Sequence, residues 1–149
     1  MNAETKRLLL LHDEDQAREF PRQLDRADLE KRARKVHAEL CEHYGDLEFE
    51  DWIYNQDASF GLSIILKPFE ETTSGICAQP VIRFSNFGNL ATFTLEELLP
   101  ENARQTIVEA LSRNGFVFVD AEELDEPYDG VMSPSESIST WWTRYFGWL

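Results

Sequence analysis

The sequence has few residues of the types that build metal centres, disulfide frameworks and thiol-based active sites. It contains two cysteines and three histidines, and they do not occur in the paired motifs that bind zinc. Two cysteines form one bridge at most, so the chain is not a disulfide scaffold. The sequence therefore predicts no structural metal and no cofactor, with reduced thiols in a cytoplasmic setting.

Long apolar runs are also missing. Residues 1–7 are followed by four leucines, Leu8–Leu11, whereas a secretory signal needs about 7–15 apolar residues and a membrane helix about 20. The longest uncharged apolar-rich run, residues 60–66, has the length of a strand. We therefore expect a cytoplasmic protein that neither crosses nor binds a membrane.

Sequence motifs for common catalytic sites are absent. The chain has no phosphate-binding loop and no G-x-S-x-G nucleophile elbow. His37 and Cys41 lie one helical turn apart and have the right spacing to share a metal ion, but two further ligands at short range are missing. The 28 acidic residues make chance carboxylate pairs inevitable, so such pairs do not identify an acid–base catalyst. We assign no catalytic residue and favour a binding protein over an enzyme.

Positive charge is scarce. Lys and Arg number 14 against 28 Asp and Glu, which gives a net charge of −14. Such a chain repels nucleic-acid phosphates and anionic lipid headgroups. The charge balance favours a basic partner protein and argues against nucleic acid, and it leaves the oligomeric state open.

Two helices are predicted from the spacing of apolar residues. Residues 25–44 begin with Asp25 or an adjacent residue as the helix cap, and they end before Gly45, which has the position of a terminating glycine. Their apolar side chains recur every three or four residues, at Leu29, Ala33, Val36, Leu40 and Tyr44. Their outer face carries the main basic concentration of the chain, Arg26, Lys31, Arg32, Arg34 and Lys35. Residues 101–114 form the second predicted helix.

Strand signals occupy the middle of the sequence. Alternating or apolar segments predict two hairpins, which join residues 47–54 to 60–67 and residues 80–85 to 90–95. The second hairpin turns at Asn86-Phe87-Gly88-Asn89, where Gly and Asn tolerate positive φ. Residues 70–79 are predicted to be a loop. Residues 116–119 are wholly apolar and predict a short strand that is central or buried on both faces.

These elements predict an α+β fold with an antiparallel sheet of about five strands and helices packed on one face. The length suits a single domain over residues 1–149. Residues 1–24 are expected to be an N-terminal segment that is flexible in part, with a solvated acidic stretch after Leu11. Residues 140–149 are rich in aromatics and predict a helix that closes the core through Trp142, Tyr145, Phe146 and Leu149; the alternative is an interface anchor that includes Arg144.

Residues 120–130, here called the acidic loop, are the main candidate site. The loop does not follow the EF-hand order of calcium ligands, which excludes that motif. Its simplest interpretation is a solvated surface, but Leu124, Pro127 and Tyr128 have the character needed to hold it against the core. We predict that it binds a basic partner protein through Asp120, Glu122, Glu123, Asp125, Glu126 and Asp129.

Two function classes are compatible with this composition and these motifs. The first is a small acidic interaction domain of the immunity or accessory type, which neutralises a basic toxin or nuclease. The alternative is a small-molecule-binding or hydrolytic domain whose carboxylate-lined site forms between the sheet and the acidic loop.

Overall fold

A computed structural model describes residues 1–13, 19–52, 61–132 and 138–147. In these ranges the chain forms five α-helices and a five-stranded mixed sheet, with a separate two-stranded sheet. The helices are α1 (Ala3–His12), α2 (Arg26–Tyr44), α3 (Glu101–Arg113), α4 (Ala121–Leu124) and α5 (Trp141–Tyr145). The strands are β1 (Glu48–Glu50), β2 (Ser63–Ile65), β3 (Glu71–Thr73), β4 (Ile76–Ala78), β5 (Val81–Phe84), β6 (Leu90–Thr94) and β7 (Val117–Phe118).

The two predicted long helices are confirmed as α2 and α3. The Asp25 side chain accepts a hydrogen bond of 2.9 Å from the backbone N–H of Asp28 and caps α2. Gly45 ends α2 with φ +84°, a conformation that glycine adopts without steric cost. The α2 side chains that are buried are those of the predicted apolar face, Leu29, Ala33, Val36 and Leu40.

Both predicted hairpins are present in the large sheet. Its strand order is β1-β2-β5-β6-β7, with β1 antiparallel to β2 and β5 antiparallel to β6. The turn of the second hairpin has positive φ at Gly88 (+60°) and Asn89 (+55°), as predicted. A side chain at position 88 would collide with His12, because an ideal Cβ there lies 2.4 Å from the imidazole Cδ2. The residues predicted to form the first hairpin's turn, 55–58, lie outside the described ranges.

The prediction of a purely antiparallel sheet with a central fifth strand is wrong. The chain returns through α3, so β7 runs parallel to β6 and lies at the edge of the sheet. Val117 is 42% exposed there, while Phe116 and Val119 on either side of β7 are buried. Periodicity alone does not distinguish a doubly buried strand from a short edge strand with buried flanks. Packing of the helices on one face stays a prediction.

The predicted loop over residues 70–79 is a hairpin instead. Strands β3 and β4 pair with each other, and Ser74 (φ +52°) and Gly75 (φ +80°) form the turn. Two consecutive residues with positive φ suit the twist of a two-residue hairpin. The segment lacks apolar alternation because its strands are largely exposed, so its composition resembles that of a loop.

The buried side chains form two groups. The sheet cluster combines α2, α3 and the large sheet, and its largest members include Phe84, Phe93 and Phe116. The terminal cluster combines α1, α4, α5 and the turn between β5 and β6. Its buried members are Leu9, Phe87, Leu90, Val119, Leu124, Trp141, Tyr145 and Phe146. The expected closing helix is α5, and Tyr145 and Phe146 are buried as predicted. The predicted face is wrong at Trp142, which is half-buried, while Trp141 is fully buried; Leu149 lies outside the described ranges.

Candidate functional site

A groove of about 620 Å³ lies where the acidic loop meets the sheet. Its walls are the end of β6, the following 3-10 turn (Glu96–Leu98), the start of α3, the helix α4 and the half-buried Trp142. We call it the acidic groove because of the carboxylates that line it, which are Glu96, Glu97, Glu101, Asp120, Glu122 and Asp125.

The topology explains why a groove forms here. Strands β6 and β7 are parallel, so their carboxyl ends lie at the same edge of the sheet. The connection from β6 to α3 and the connection from β7 to α4 leave this edge and form opposite walls. Crevices outside the carboxyl ends of parallel strands are common ligand sites in open α/β sheets.

Arg104 is the basic side chain of the groove. Its guanidinium pairs with Glu96 and lies 3.8 Å from Asp120, and the Glu96 carboxylate raises the pKa of Arg104. Arg104 also lies over the Phe118 ring, 5.0 Å from its centroid. These ion pairs connect the 3-10 turn to the start of α4, so the Arg104 charge is already paired within the groove.

The remaining four carboxylates of the groove are exposed. In the described ranges no cationic side chain lies within salt-bridge distance of Glu97, Glu101, Glu122 or Asp125. Their negative charge faces solvent around a concave surface with one aromatic wall. Such an arrangement attracts cations.

The acidic loop divides into two sets of carboxylates. Asp120, Glu122 and Asp125 line the groove. Glu123, Glu126 and Asp129 instead contact the N-terminal segment, and no pattern in the sequence connects that segment with this loop. Of the six predicted binding residues, the structure thus brings three to the groove and turns three away from it.

The second set is engaged by specific donors. Glu123 Oε1 accepts hydrogen bonds from the backbone N–H and the Nδ2 amide of Asn2, at 3.0 and 2.6 Å. Glu126 lies 3.1 Å from the Met1 amino group. Asp129 pairs with Lys6, whose Nζ also lies 4.6 Å from the Trp141 ring centroid.

These contacts affect the ionisation of Glu123. Hydrogen bonds from the Thr5 hydroxyl and from the Asn2 backbone hold the pKa of Glu123 below its ordinary value. Donors that favour the charged form of a carboxylate have this effect. The carboxylate therefore stabilises the position of α1 while it is ionised.

A buried ion pair fastens the far end of α1. Arg144 Nε donates to Asp13 Oδ1 at 2.7 Å, and both side chains have no solvent exposure. Asp13 Oδ2 accepts from the Tyr128 hydroxyl at 2.6 Å and from the Val131 backbone N–H at 2.9 Å. The expectation of a solvated acidic stretch is therefore wrong at Asp13, which supports the fold between α1 and α5.

The surroundings of this pair are aromatic and tightly packed. Arg144 lies 4.4 Å from the Phe87 ring centroid and 5.3 Å from that of Tyr145, whose hydroxyl donates to the Leu9 carbonyl at 2.5 Å. Burial and the hydrogen bond to Asp13 raise the pKa of Tyr128 to about 12. An ideal Cβ at Gly130 would lie 2.0 Å from Asp13 Oδ2, so this close approach requires glycine.

His37 and Cys41 are neighbours, as the helical spacing predicts. The Cys41 Sγ lies 3.5 Å from His37 Nε2, but the same nitrogen lies 2.6 Å from the Leu47 carbonyl oxygen. That contact requires Nε2 to carry a proton, which makes it a donor and not a metal ligand. Over the described ranges no three His, Cys, Asp or Glu side chains are arranged to hold a metal ion.

Comparison of the chain with protein-family models, with curated proteins and with solved structures gives no match. Among the helices that the structure describes, none combines the length and the apolar composition needed to cross a bilayer.

Proposed function

We propose that this chain is a protein-interaction domain that binds a basic segment of a partner protein in the acidic groove. The observation that carries the proposal is the concave surface of about 620 Å³ with four solvent-facing carboxylates. A Lys or Arg side chain of the partner enters beside Trp142 and pairs with Glu122 and Asp125. Neutralisation of a basic toxin or nuclease is one biological use of such a domain.

The chain contains an internal example of the same chemistry. Lys6 lies over the Trp141 ring while it pairs with Asp129, so Trp141 already binds a cation next to a carboxylate. Trp142, the next residue, lines the acidic groove together with Asp125 and Glu122. A cation over a tryptophan face next to a carboxylate gains from both interactions.

The overall charge supports fast association with a basic partner. A net charge of −14 attracts a positively charged protein over about one Debye length, and a lined cleft concentrates this field. Binding at such a surface is rapid and weakens with salt.

A small organic cation is the second candidate ligand, because the groove is concave and lies at the carboxyl ends of parallel strands. A polyamine would occupy the same carboxylates without a protein partner. Titration with spermine and with a decalysine peptide separates the two ligands, because the proposed function requires tighter binding of the peptide than of the polyamine.

Removal of the groove's exposed charge tests the proposal. The variant Glu97→Gln, Glu101→Gln, Glu122→Gln and Asp125→Asn should slow association with decalysine about tenfold at low salt, since steering by charge changes rates by about 10–1,000-fold. Glu123 and Glu126 stay unchanged because they contact the N-terminal segment. Stopped-flow fluorescence at two salt concentrations measures the rates.

A matched control removes the same charge elsewhere. The variant Glu42→Gln, Asp46→Asn, Glu48→Gln and Glu71→Gln changes four exposed residues away from the groove. It should slow association far less than the groove variant. Equal slowing by both variants would show that association depends on net charge alone and would contradict a defined binding groove.

A further inference from the structure

Helix α1 is attached to the rest of the molecule through polar contacts and through the terminal cluster. Leu9 is its fully buried side chain, whereas Leu10 and Leu11 are 40% and 75% exposed. Met1 and Leu8 pack against the terminal cluster beside Leu9, so the apolar contacts of this segment are made with that cluster.

The polar contacts lie at both ends of this segment. At its start, Asn2 binds Glu123 and Lys6 pairs with Asp129. At its end, Asp13 pairs with Arg144. We call residues 1–13 the N-terminal latch, which includes the Met1 amino group that pairs with Glu126.

We propose that the N-terminal latch opens as a unit while the sheet cluster stays folded, and that opening releases Glu123, Glu126 and Asp129 from their contacts with this segment, so that a basic partner can bind them. The second statement rests on the proposed function. In the closed state the latch holds these carboxylates through Asn2, the Met1 amino group and Lys6, so it competes with the partner within the same molecule.

The two hydrophobic clusters allow this separate motion. All buried latch side chains belong to the terminal cluster or to the Asp13 site, and the sheet cluster contains none of them. Regions with few buried apolar contacts open at a lower free energy than the core and exchange their amide hydrogens sooner.

The buried ion pair does not prevent the opening. When the latch leaves, Asp13 returns to water, and its regained hydration offsets part of the lost pairing. The contacts of Lys6 and Asn2 are exposed, and exposed pairs add little to stability. A competing cation can replace the contacts of Met1 and Lys6, whereas the Asp13–Arg144 pair separates when the latch opens.

Hydrogen exchange followed by mass spectrometry tests the opening without any ligand. Peptides from residues 1–13 should exchange faster than peptides from α2 and α3 in the unmodified protein. Lys6→Gln should speed exchange of the latch about threefold to tenfold, the size expected for loss of an exposed ion pair with its cation–π contact. Arg7→Gln is the matched control, since it removes the same charge from an exposed neighbour on the same helix.

A second variant and a binding measurement complete the test. Asp13→Asn should open the latch further than Lys6→Gln, with exchange in α2 and α3 unchanged. Lys6→Gln should also bind decalysine more tightly than Arg7→Gln does. Exchange of α1 at the same rate as α2 and α3 in every protein would overturn the latch. A latch that opens in a protein that does not bind decalysine would leave the opening standing and contradict the proposed function.

Discussion

Asp13 and Arg144 show how one residue pair determines the position of two helices. Each charge has left water completely, and each is compensated by the other and by surrounding polar and aromatic groups. A buried pair contributes little net stability over an apolar replacement, but removal of one partner leaves an uncompensated charge. Replacement of only one of the two residues therefore lowers stability by more than the intact pair contributes to it.

This asymmetry gives a prediction at the residue scale. Arg144→Met should lower the free energy of unfolding by at most about 3–5 kcal/mol, since Asp13 then either stays buried without its cation or leaves with the opened latch. The double variant Asp13→Leu with Arg144→Met should recover a large part of this loss. Urea unfolding followed by circular dichroism measures both values, and a double variant as unstable as the sum of both single variants would contradict the argument.

The sequence did not reveal this pair, for a physical reason. Asp13 stands among acidic residues that resemble a solvated stretch, and its partner is 131 positions away. Nothing local marks Asp13 as buried, because its burial depends on α5, Tyr128 and Gly130 meeting in three dimensions. Arg144 has the composition of an interface anchor, and its aromatic neighbours give the same signal inside a core as on a surface.

At the element scale, local signals were reliable where a residue's own conformation decides the structure. Asp25 and Gly45 bound α2, and Gly88 with Asn89 turns the second hairpin. The direction and edge position of β7 depend on how α3 crosses the sheet, which apolar periodicity does not encode. The composition of the sequence identified the acidic loop. Which of its carboxylates line the groove and which contact the latch depends on where α1 packs, and the sequence does not show this.

The ionisation of Glu123 gives a prediction for α1. Its pKa is lowered in the folded state, so its contribution to the closed latch is present above the ordinary value of 4.5 and is lost as the pH falls through the lowered pKa. Amide resonances of α1 should therefore shift towards an open state on acidification below about pH 4.5. NMR spectra between neutral pH and about pH 3 measure this change.

Two variants identify the carboxylate responsible. Glu123→Gln should weaken the acid response of α1. Glu39→Gln is the control, because hydrogen bonding to Asn114 also lowers the pKa of Glu39 but at a contact between α2 and α3. An equal effect of both variants on α1 would contradict a local role for Glu123.

At the scale of the whole molecule, the charges are less segregated than the sequence suggested. Three arginines of the basic face of α2 pair with acidic residues, Arg26 with Asp51, Arg32 with Asp28 and Arg34 with Glu30. Arg113 similarly pairs with Glu39. Since cations are used in these pairs, the excess negative charge remains on surfaces such as the acidic groove.

This excess predicts a stabilising effect of salt. Screening weakens repulsion among like charges, so the thermal midpoint should rise by about 2–5 °C between roughly 10 mM and 150 mM NaCl, which corresponds to roughly 1 kcal/mol. The same rise with KCl would assign the effect to screening. A midpoint that falls with both salts would show that the ion pairs outweigh the repulsion.

The two clusters also differ in when a ribosome can complete them. Buried members of the sheet cluster lie between Leu29 and Phe116, whereas the terminal cluster needs Leu9 together with residues 141–146. During synthesis the sheet cluster can assemble as its residues emerge. Leu9 and Asp13 stay exposed to solvent until their partners in α5 have been translated. The latch would therefore close only after α5 had left the ribosome, when the sheet cluster had already begun to assemble.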